Sequence, residues 1–189
     1  MMGAMQHLRE LGELLSRTDS AFWQSVGRDD VRTAMDAFYA RADAAIAAQP
    51  GTCWNKGECC RFGEFGHRLY VTALEVAYYL GNGESGVPSS EDKCPHAFEG
   101  KCHARERRPL GCRIFYCDPA AQHWQGPLTE RLLGELRHMH DELGVPYFYA
   151  DWMTVLRQLT GGLDVGSSAE SIRVDNRWVQ MTIDKPEAK

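Results

Sequence analysis

Apolar residues recur at helical spacing through the first 50 residues of the chain. Leu8, Leu11 and Leu15 follow one another at intervals of three and four, which predicts an amphipathic helix. A second helix is predicted to begin near Asp29 or Asp30, either of which suits the N-cap position. Its apolar face comprises Val31, Ala34, Met35, Phe38, Ala42, Ala45 and Ile46. We therefore expect an N-terminal helical segment over 1–50 that packs on the core and ends at Pro50-Gly51.

A short extended piece over 69–71 precedes the next predicted helix. Thr72 is followed three residues later by Glu75, the pattern of a capping box in which each residue bonds the backbone amide of the other. This pattern predicts a helix that begins just after Thr72 and ends at Gly81.

Leucine spacing predicts another long helix after the cysteine-rich middle of the chain. Pro127 suits its first turn and Gly144 its C-cap, and the apolar stripe comprises Leu128, Leu132, Leu133, Leu136, Met139 and Leu143. A further helix is predicted over 151–159, and one strand over 178–183. The fold class expected is mostly α with minor β, with helices packed around a loop-built metal centre. The predicted organisation is the helical segment 1–50, a cysteine-cluster domain with C-terminal helices over 51–160, and a polar tail over 161–189.

Composition and charge exclude some classes of function. Hydrophobic residues make up 43% of the 189 residues, so a folded globular domain is expected. The net charge of −5 disfavours a general nucleic-acid binder. The chain shows neither an apolar stretch long enough to span a bilayer nor a signal-peptide core at its start, so we expect a cytoplasmic protein without a membrane partner.

Cysteine usage is the strongest chemical signal in the chain. All seven cysteines lie within 53–117: Cys53, Cys59, Cys60, Cys94, Cys102, Cys112 and Cys117. The absence of a Cys-x-x-Cys pair disfavours thioredoxin-like exchange, a zinc ribbon and a ferredoxin-type run. Small buried thiols and disulfides remain alternatives, although an odd count without an export signal disfavours disulfides. We predict that these seven residues bind a metal, zinc or iron, because a cation would stabilise clustered thiolates.

The neighbouring residues suit such a site. Residues 101–113 include five basic residues and one acidic residue. The positive charge of this segment could compensate thiolate charge, or the segment could form an ordinary solvated face. Phe62, Phe65, Phe98 and Phe115 could provide an apolar shell, and His67, His96 and His103 are close enough in sequence to be weighed as ligands. His138 and His140, two apart on a helix, diverge and are discarded as a metal pair.

The motif Cys53-x5-Cys59-Cys60, followed by Cys94-Pro95, Gly100-Lys101-Cys102 and Arg108-Pro109-x-x-Cys112-Arg113, resembles the YkgJ family of cysteine-cluster proteins. The resemblance covers about a third of the chain. It implies a zinc- or iron-chelating domain, often labelled an iron–sulfur oxidoreductase, that also forms part of the flagellin lysine N-methylases. The family's second cysteine is replaced here by Lys56. If its eight cysteines form two sites, one site retains three thiolates and an open position, for which His67 is a candidate ligand.

Three functions are therefore weighed. The first is a metal-binding protein that chelates zinc or iron, including the case of an iron–sulfur cluster, through the seven cysteines. The second is an enzyme, either an iron–sulfur oxidoreductase with a redox partner or a methyltransferase-related protein. No Gly-x-Gly-x-x-Gly loop and no Cys-x3-Cys-x2-Cys motif support methyl transfer. The third treats the metal as a structural staple and the aromatic residues Tyr147, Phe148, Tyr149 and Trp152 as a surface for a protein partner, or else as core.

Overall fold

The computed structural model describes residues 11–15, 17, 20–54, 57–84 and 92–160. Of these residues, 62% are helical and 7% lie in strands, which confirms the prediction of a mostly α fold with minor β. Leu8 and the predicted strand over 178–183 lie outside the described residues.

Seven helices have described bounds, and residues 11–15 are also helical. The seven are α1 (Ala21–Ser25), α2 (Asp29–Ala47), α3 (Phe62–Phe65), α4 (Ala73–Gly81), α5 (Leu110–Ile114), α6 (Gln122–Leu143) and α7 (Trp152–Leu159). Three 3₁₀ turns lie between them, at Glu58–Cys60, Arg105–Arg107 and Pro119–Ala121. The connections from α2 to α4 and from α4 to α6 carry all seven cysteines.

Four short strands form two antiparallel pairs. β1 (Tyr70–Thr72) pairs with β4 (Tyr149–Asp151), and β2 (Ala97–Phe98) pairs with β3 (Lys101–Cys102). The extended piece predicted over 69–71 corresponds to β1, whereas the other three strands were not predicted. Strands of two or three residues are too short to show an alternating pattern.

The capping box at the start of α4 is confirmed. The Thr72 hydroxyl accepts from the Glu75 amide at 3.4 Å, and the Glu75 carboxylate accepts from the Thr72 amide at 2.8 Å. Gly144 ends α6 with φ +61°, the left-handed conformation that glycine adopts without strain. The start of α4 and the end of α6 are therefore determined by short local motifs.

Helix α2 begins at Asp29, as predicted, but its predicted N-cap and the predicted start of α6 are wrong. The N-cap of α2 is Arg28, so Asp29 and Asp30 lie in the first turn, where their charges favour the positive end of the helix dipole. Helix α6 begins at Gln122 and contains Pro127. It continues directly from the Pro119–Ala121 turn, so the proline lies early in the helix but after its true start.

The core forms where α2 packs against α4, α5 and α6. Its largest fully buried side chains include Phe22, Met35, Phe38, Leu74 and Trp152. Trp152 is thus core, and Tyr149 and Phe148 are partly buried, whereas Tyr147 is 38% exposed. Within the described residues, each helix lacks either the length or the apolarity needed to cross a membrane.

Candidate metal centre

Six of the seven cysteines line one cavity of about 30 Å³. They are Cys53, Cys59, Cys60, Cys102, Cys112 and Cys117, and Trp54, Glu58, Arg108 and Phe115 complete much of its wall. Cys94 is buried and contacts the Cys60 thiol. The fold therefore brings the sequence-predicted cysteines together from four separate segments.

The segment that carries Cys59 and Cys60 lies directly beside the one that carries Cys94. The Cys94 amide donates to the Cys60 carbonyl at 2.8 Å, and the Gly63 amide donates to the Asp92 carbonyl at 3.1 Å. These backbone bonds fix two cysteine segments that are more than 30 residues apart in sequence. Main-chain hydrogen bonds thus place Cys94 beside Cys60.

The hairpin of β2 and β3 brings Cys102 to the same place. Cys102 pairs with Ala97 across the hairpin, and the Ala97 amide donates to the Cys94 carbonyl at 3.0 Å. Gly57 packs against the hairpin turn, since an added Cβ at Gly57 would lie 2.9 Å from the Gly100 carbonyl oxygen. The 57–60 turn and the hairpin therefore touch through glycine backbone.

Helix α5 carries Cys112 and is held by two buried charged residues. Glu75 accepts from the Leu110 amide at 2.6 Å, which satisfies a donor at the start of the helix. Arg113 is buried, donates to Asp43 at 2.6 Å and to the Arg108 and Glu106 carbonyls, and lies 4.0 Å from the centre of the Tyr39 ring. The Arg-Pro-x-x-Cys-Arg element is thus anchored on both sides of Cys112.

Cys60 is the centre of a group of five thiols, here called the inner thiols: Cys59, Cys60, Cys94, Cys102 and Cys112. Hydrogen bonding from Cys60 lowers the pKa of Cys59 to about 7 and that of Cys102 to about 6, and it also lowers the pKa of Cys94. Hydrogen bonding to Cys102, Cys59 and Cys94 raises the pKa of Cys60 itself. Burial raises the pKa of Cys112, which also feels the charges of Cys94, Cys59 and Cys102. The thiols whose pKa is lowered, Cys59, Cys94 and Cys102, form thiolates most readily, and the thiolate is the species that binds metals.

Backbone amides and the guanidinium groups of Arg108 and Arg105 compensate the negative charge of these thiols. The His96 amide donates to Cys94 and the Ala104 amide to Cys102, in each case from two residues further along the chain. The positive charge of Arg108 lowers the pKa of Cys59 and Cys102. Hydrogen bonding from Trp152 also lowers the pKa of Cys94, a role that no local sequence pattern could indicate. Such donors are typical around thiolate ligands of metals.

The basic run over 101–113 does not act as one patch. Arg113 pairs with Asp43 and Arg107 with Glu84, whereas Arg108 lies in the wall of the cavity. Arg108 is held there by its bonds to the Arg105 carbonyl at 2.9 Å and the Cys112 carbonyl at 3.5 Å. Within the run, Arg108 therefore compensates charge at Cys59 and Cys102, and Arg105 compensates charge at Cys102.

Cys53 and Cys117 also line the cavity and are here called the mouth thiols. Cys117 is exposed and Cys53 is partly buried. Thr52 donates its amide to the Asp118 carboxylate at 2.9 Å, so the residues next to the two cysteines are bonded to each other. The indole of Trp124 donates to the Pro50 carbonyl at 2.8 Å and fixes the same two segments.

The histidines near the cysteines have other partners. His67 lies with Nε2 at 3.1 Å from the Cys59 carbonyl oxygen and stacks on Phe115, and among the described residues it is not part of the cavity wall. His96 bonds the Tyr79 hydroxyl at 2.8 Å. His103 packs edge-on against Phe98. These contacts favour structural roles for all three.

The predicted phenylalanine shell is only partly present. Phe62 is buried and Phe115 lines the cavity, but Phe65 and Phe98 are 39% and 62% exposed. Trp54, which follows Cys53 directly in the sequence, also lines the cavity and is not among the residues predicted for the site.

Within the described ranges, no three Cys, His, Asp or Glu side chains already converge in the arrangement that holds a metal ion. The contacts around Cys60 are those of a thiol cluster rather than of a coordination sphere. Comparison of the chain with models of protein families, with curated proteins and with solved structures finds no match. The function must therefore be argued from the site itself.

Proposed function

We propose that this protein binds zinc or iron through the inner thiols. The observation that carries the proposal is the cavity lined by Cys59, Cys60, Cys102 and Cys112, beside which the amide of buried Cys94 donates to the Cys60 carbonyl. Four cysteine sulfurs are the donor set that zinc and iron–sulfur sites use. The all-thiol donor set, with amide donors and Arg108 beside it, fits either metal.

The sequence predicts all seven cysteines as metal ligands, and the proposal assigns the metal to the inner thiols alone. Metal binding would require the thiol side chains to turn about their Cα–Cβ bonds, because they do not yet point at a common centre. The backbone of the segments that carry Cys60 and Cys94 is already held by the hydrogen bond between them. A bound cation would remove the repulsion among thiolates and stabilise a region built largely from loops.

The resemblance to the YkgJ family supports the same function, since that family is described as chelating zinc or iron. The Arg-Pro-x-x-Cys-Arg element of the resemblance is the one that Glu75 and Arg113 anchor at the cavity. Redox activity and methyl transfer, the other functions implied by the resemblance, stay predictions.

The test is purification under anaerobic conditions without a metal-binding tag, followed by elemental analysis and an absorption spectrum of the same sample. We expect zinc without colour, or iron with a broad visible band. The variant Cys60→Ser should lose the metal, because it removes the central sulfur. The unfolding curve of its metal-free form, compared with that of the metal-free wild type, controls for loss of the fold. A wild-type chain with neither metal and seven titratable thiols would overturn the proposal.

A further inference from the structure

We propose that two copies of this chain associate through the outer face of the β2–β3 hairpin, which comprises Phe98, Lys101 and His103. The proposal goes beyond metal binding and does not depend on it. It starts from Phe98, whose exposure of 62% is the largest of any large hydrophobic residue in the described part of the chain. An aromatic side chain in that position is available for contact with another protein.

The hairpin presents two different faces. Residues that oppose each other in an antiparallel pair point their side chains to the same face, and Phe98 opposes Lys101 whereas Ala97 opposes Cys102. Cys102 lines the cavity, so the face that Phe98 and Lys101 share is the outer one. The His103 ring packs edge-on against that of Phe98, with the ring centres 5.9 Å apart. All three residues of the outer face are exposed and together form one surface.

The turn of the hairpin adds an exposed charge that the turn itself does not favour. It consists of Glu99 and Gly100, with φ +49° and +72°. Turns of this kind favour asparagine, aspartate or glycine at the first position, and glutamate is strained there. Among the described residues, neither the Glu99 carboxylate nor the Lys101 ammonium group has an ion-pair partner. One uncompensated charge of each sign therefore lies close in sequence to Phe98.

The charges of this surface fit a second copy of the same chain. In a two-fold symmetric contact, Glu99 of each copy can pair with Lys101 of the other, with the two Phe98 rings between the pairs. Each chain has a net charge of −5, so two copies repel each other over much of their surface. Residues 92–106, in contrast, include three acidic and three basic residues and are neutral. A neutral surface with both signs of charge is complementary to itself and offers little to a strongly charged partner.

The experiment is sedimentation equilibrium of the full chain, over protein concentrations up to the millimolar range and with a reductant present. The reductant removes dimers linked by disulfides. We expect a weak dimer that dissociates on dilution, because the hairpin offers a small contact area. High salt should weaken this dimer by screening the paired charges.

The aromatic contact is tested with Phe98→Ser, which should weaken dimerisation roughly a hundredfold or more, since each copy loses a buried aromatic side chain. The matched control is Tyr147→Ser, which removes an aromatic residue that is 38% exposed and lies outside the hairpin. The control should leave dimerisation unchanged. Urea denaturation of both variants shows that each is folded.

Charge variants test the symmetric pairing. Glu99→Lys and Lys101→Glu should each weaken dimerisation about tenfold, because like charges then oppose each other in both pairs. An equimolar mixture of these two variants should form mixed dimers, since each pair again joins opposite charges. Glu99→Asn relaxes the turn, so it should raise the urea midpoint of the monomer and at the same time weaken the dimer.

A wild-type chain that is monomeric at every concentration would overturn the proposal. A dimer that persists in Phe98→Ser, or a mixture of the two charge variants that associates no better than its components, would overturn it too. Wild-type protein that forms the dimer but holds no metal would overturn the proposed metal function and leave the hairpin contact standing. The failure of one proposal is therefore distinguishable from the failure of the other.

Discussion

The Glu75 carboxylate accepts a hydrogen bond of 2.6 Å from the backbone amide of Leu110. Glu75 belongs to the capping box at the start of α4, and Leu110 is the first residue of α5, the helix that carries Cys112. The buried Glu75 side chain therefore connects α4, whose start is predicted from the sequence, to the candidate metal centre.

Replacing Glu75 with glutamine tests this link. The carboxylate accepts from the Leu110 amide, the Thr72 amide and hydroxyl, and the Tyr39 hydroxyl. A glutamine side chain keeps the size but exchanges one acceptor oxygen for an NH₂ group, which leaves buried donors unpaired. We expect Glu75→Gln to lower the free energy of unfolding by roughly 1–3 kcal/mol, measured by urea denaturation. An unchanged unfolding midpoint would contradict the assigned bonds.

A second buried charge anchors the other side of Cys112. The Arg113 side chain is 4% exposed and donates to Asp43 and to the carbonyls of Arg108 and Glu106. Lysine cannot reproduce this planar set of donors. We expect Arg113→Lys to cost roughly 2–3 kcal/mol of unfolding free energy.

The matched control is Asp43→Asn. The Asp43 side chain is 54% exposed, and an ion pair with so exposed a partner contributes at most about 1 kcal/mol. Equal losses for the two variants, measured in parallel urea denaturations, would show that the ion pair rather than the carbonyl bonds holds Arg113.

The sequence could predict those features that depend on neighbouring residues. The Thr72–Glu75 capping box and the C-cap at Gly144 both follow from short motifs, and both are present. The pairing of Tyr70 with Asp151 joins two short strands far apart in the chain, so no local pattern could indicate it. The start of α6 was misplaced because Pro127 is compatible with a first turn, but the preceding 3₁₀ turn extends the helix backwards.

In the candidate site, too, some features follow from the local sequence and others depend on contacts between distant segments. Clustering in the sequence was enough to select the seven cysteines, and the cavity brings six of them together. Their separation into inner and mouth thiols depends on tertiary contacts such as the Thr52–Asp118 bond, which join segments more than 60 residues apart. Likewise, Phe98 is 62% exposed in β2, which its hydrophobicity could not indicate.

Buried His140 makes the stability of the protein depend on pH. Its Nε2 accepts from the Leu74 amide at 3.3 Å, and its Nδ1 lies 3.1 Å from the Val145 carbonyl oxygen, to which it donates as the neutral ring. Burial lowers the pKa of His140 below its ordinary value of 6.5. As pH falls through 6.5, the unfolded chain therefore binds a proton before the folded chain does, and the free energy of unfolding falls.

We expect this loss to begin near pH 7 and to continue until the pH reaches the lowered pKa of the folded state. The variant His140→Gln removes the titrating group, so the difference between wild type and variant isolates its contribution from those of other acids and bases. Urea denaturation at intervals between pH 5 and 8 gives the measurement. A difference that does not change with pH would contradict a neutral buried His140.

Gly57 offers the sharpest test of how the backbone shapes the candidate metal centre. Its φ of +66° favours glycine, and its carbonyl accepts from the Cys60 amide at 3.1 Å. An added Cβ would lie 2.9 Å from the Gly100 carbonyl oxygen, so Gly57→Ala should push the turn that carries Cys59 and Cys60 away from the hairpin that carries Cys102.

Gly66 has nearly the same φ, +63°, but an added Cβ there meets no atom within 4 Å. Both variants should lose about 1 kcal/mol of stability to backbone strain, and only Gly57→Ala should lose bound metal as well. Elemental analysis beside urea denaturation of both variants gives the comparison. Equal metal content at equal stability would show that contact between the turn and the hairpin is not needed for binding.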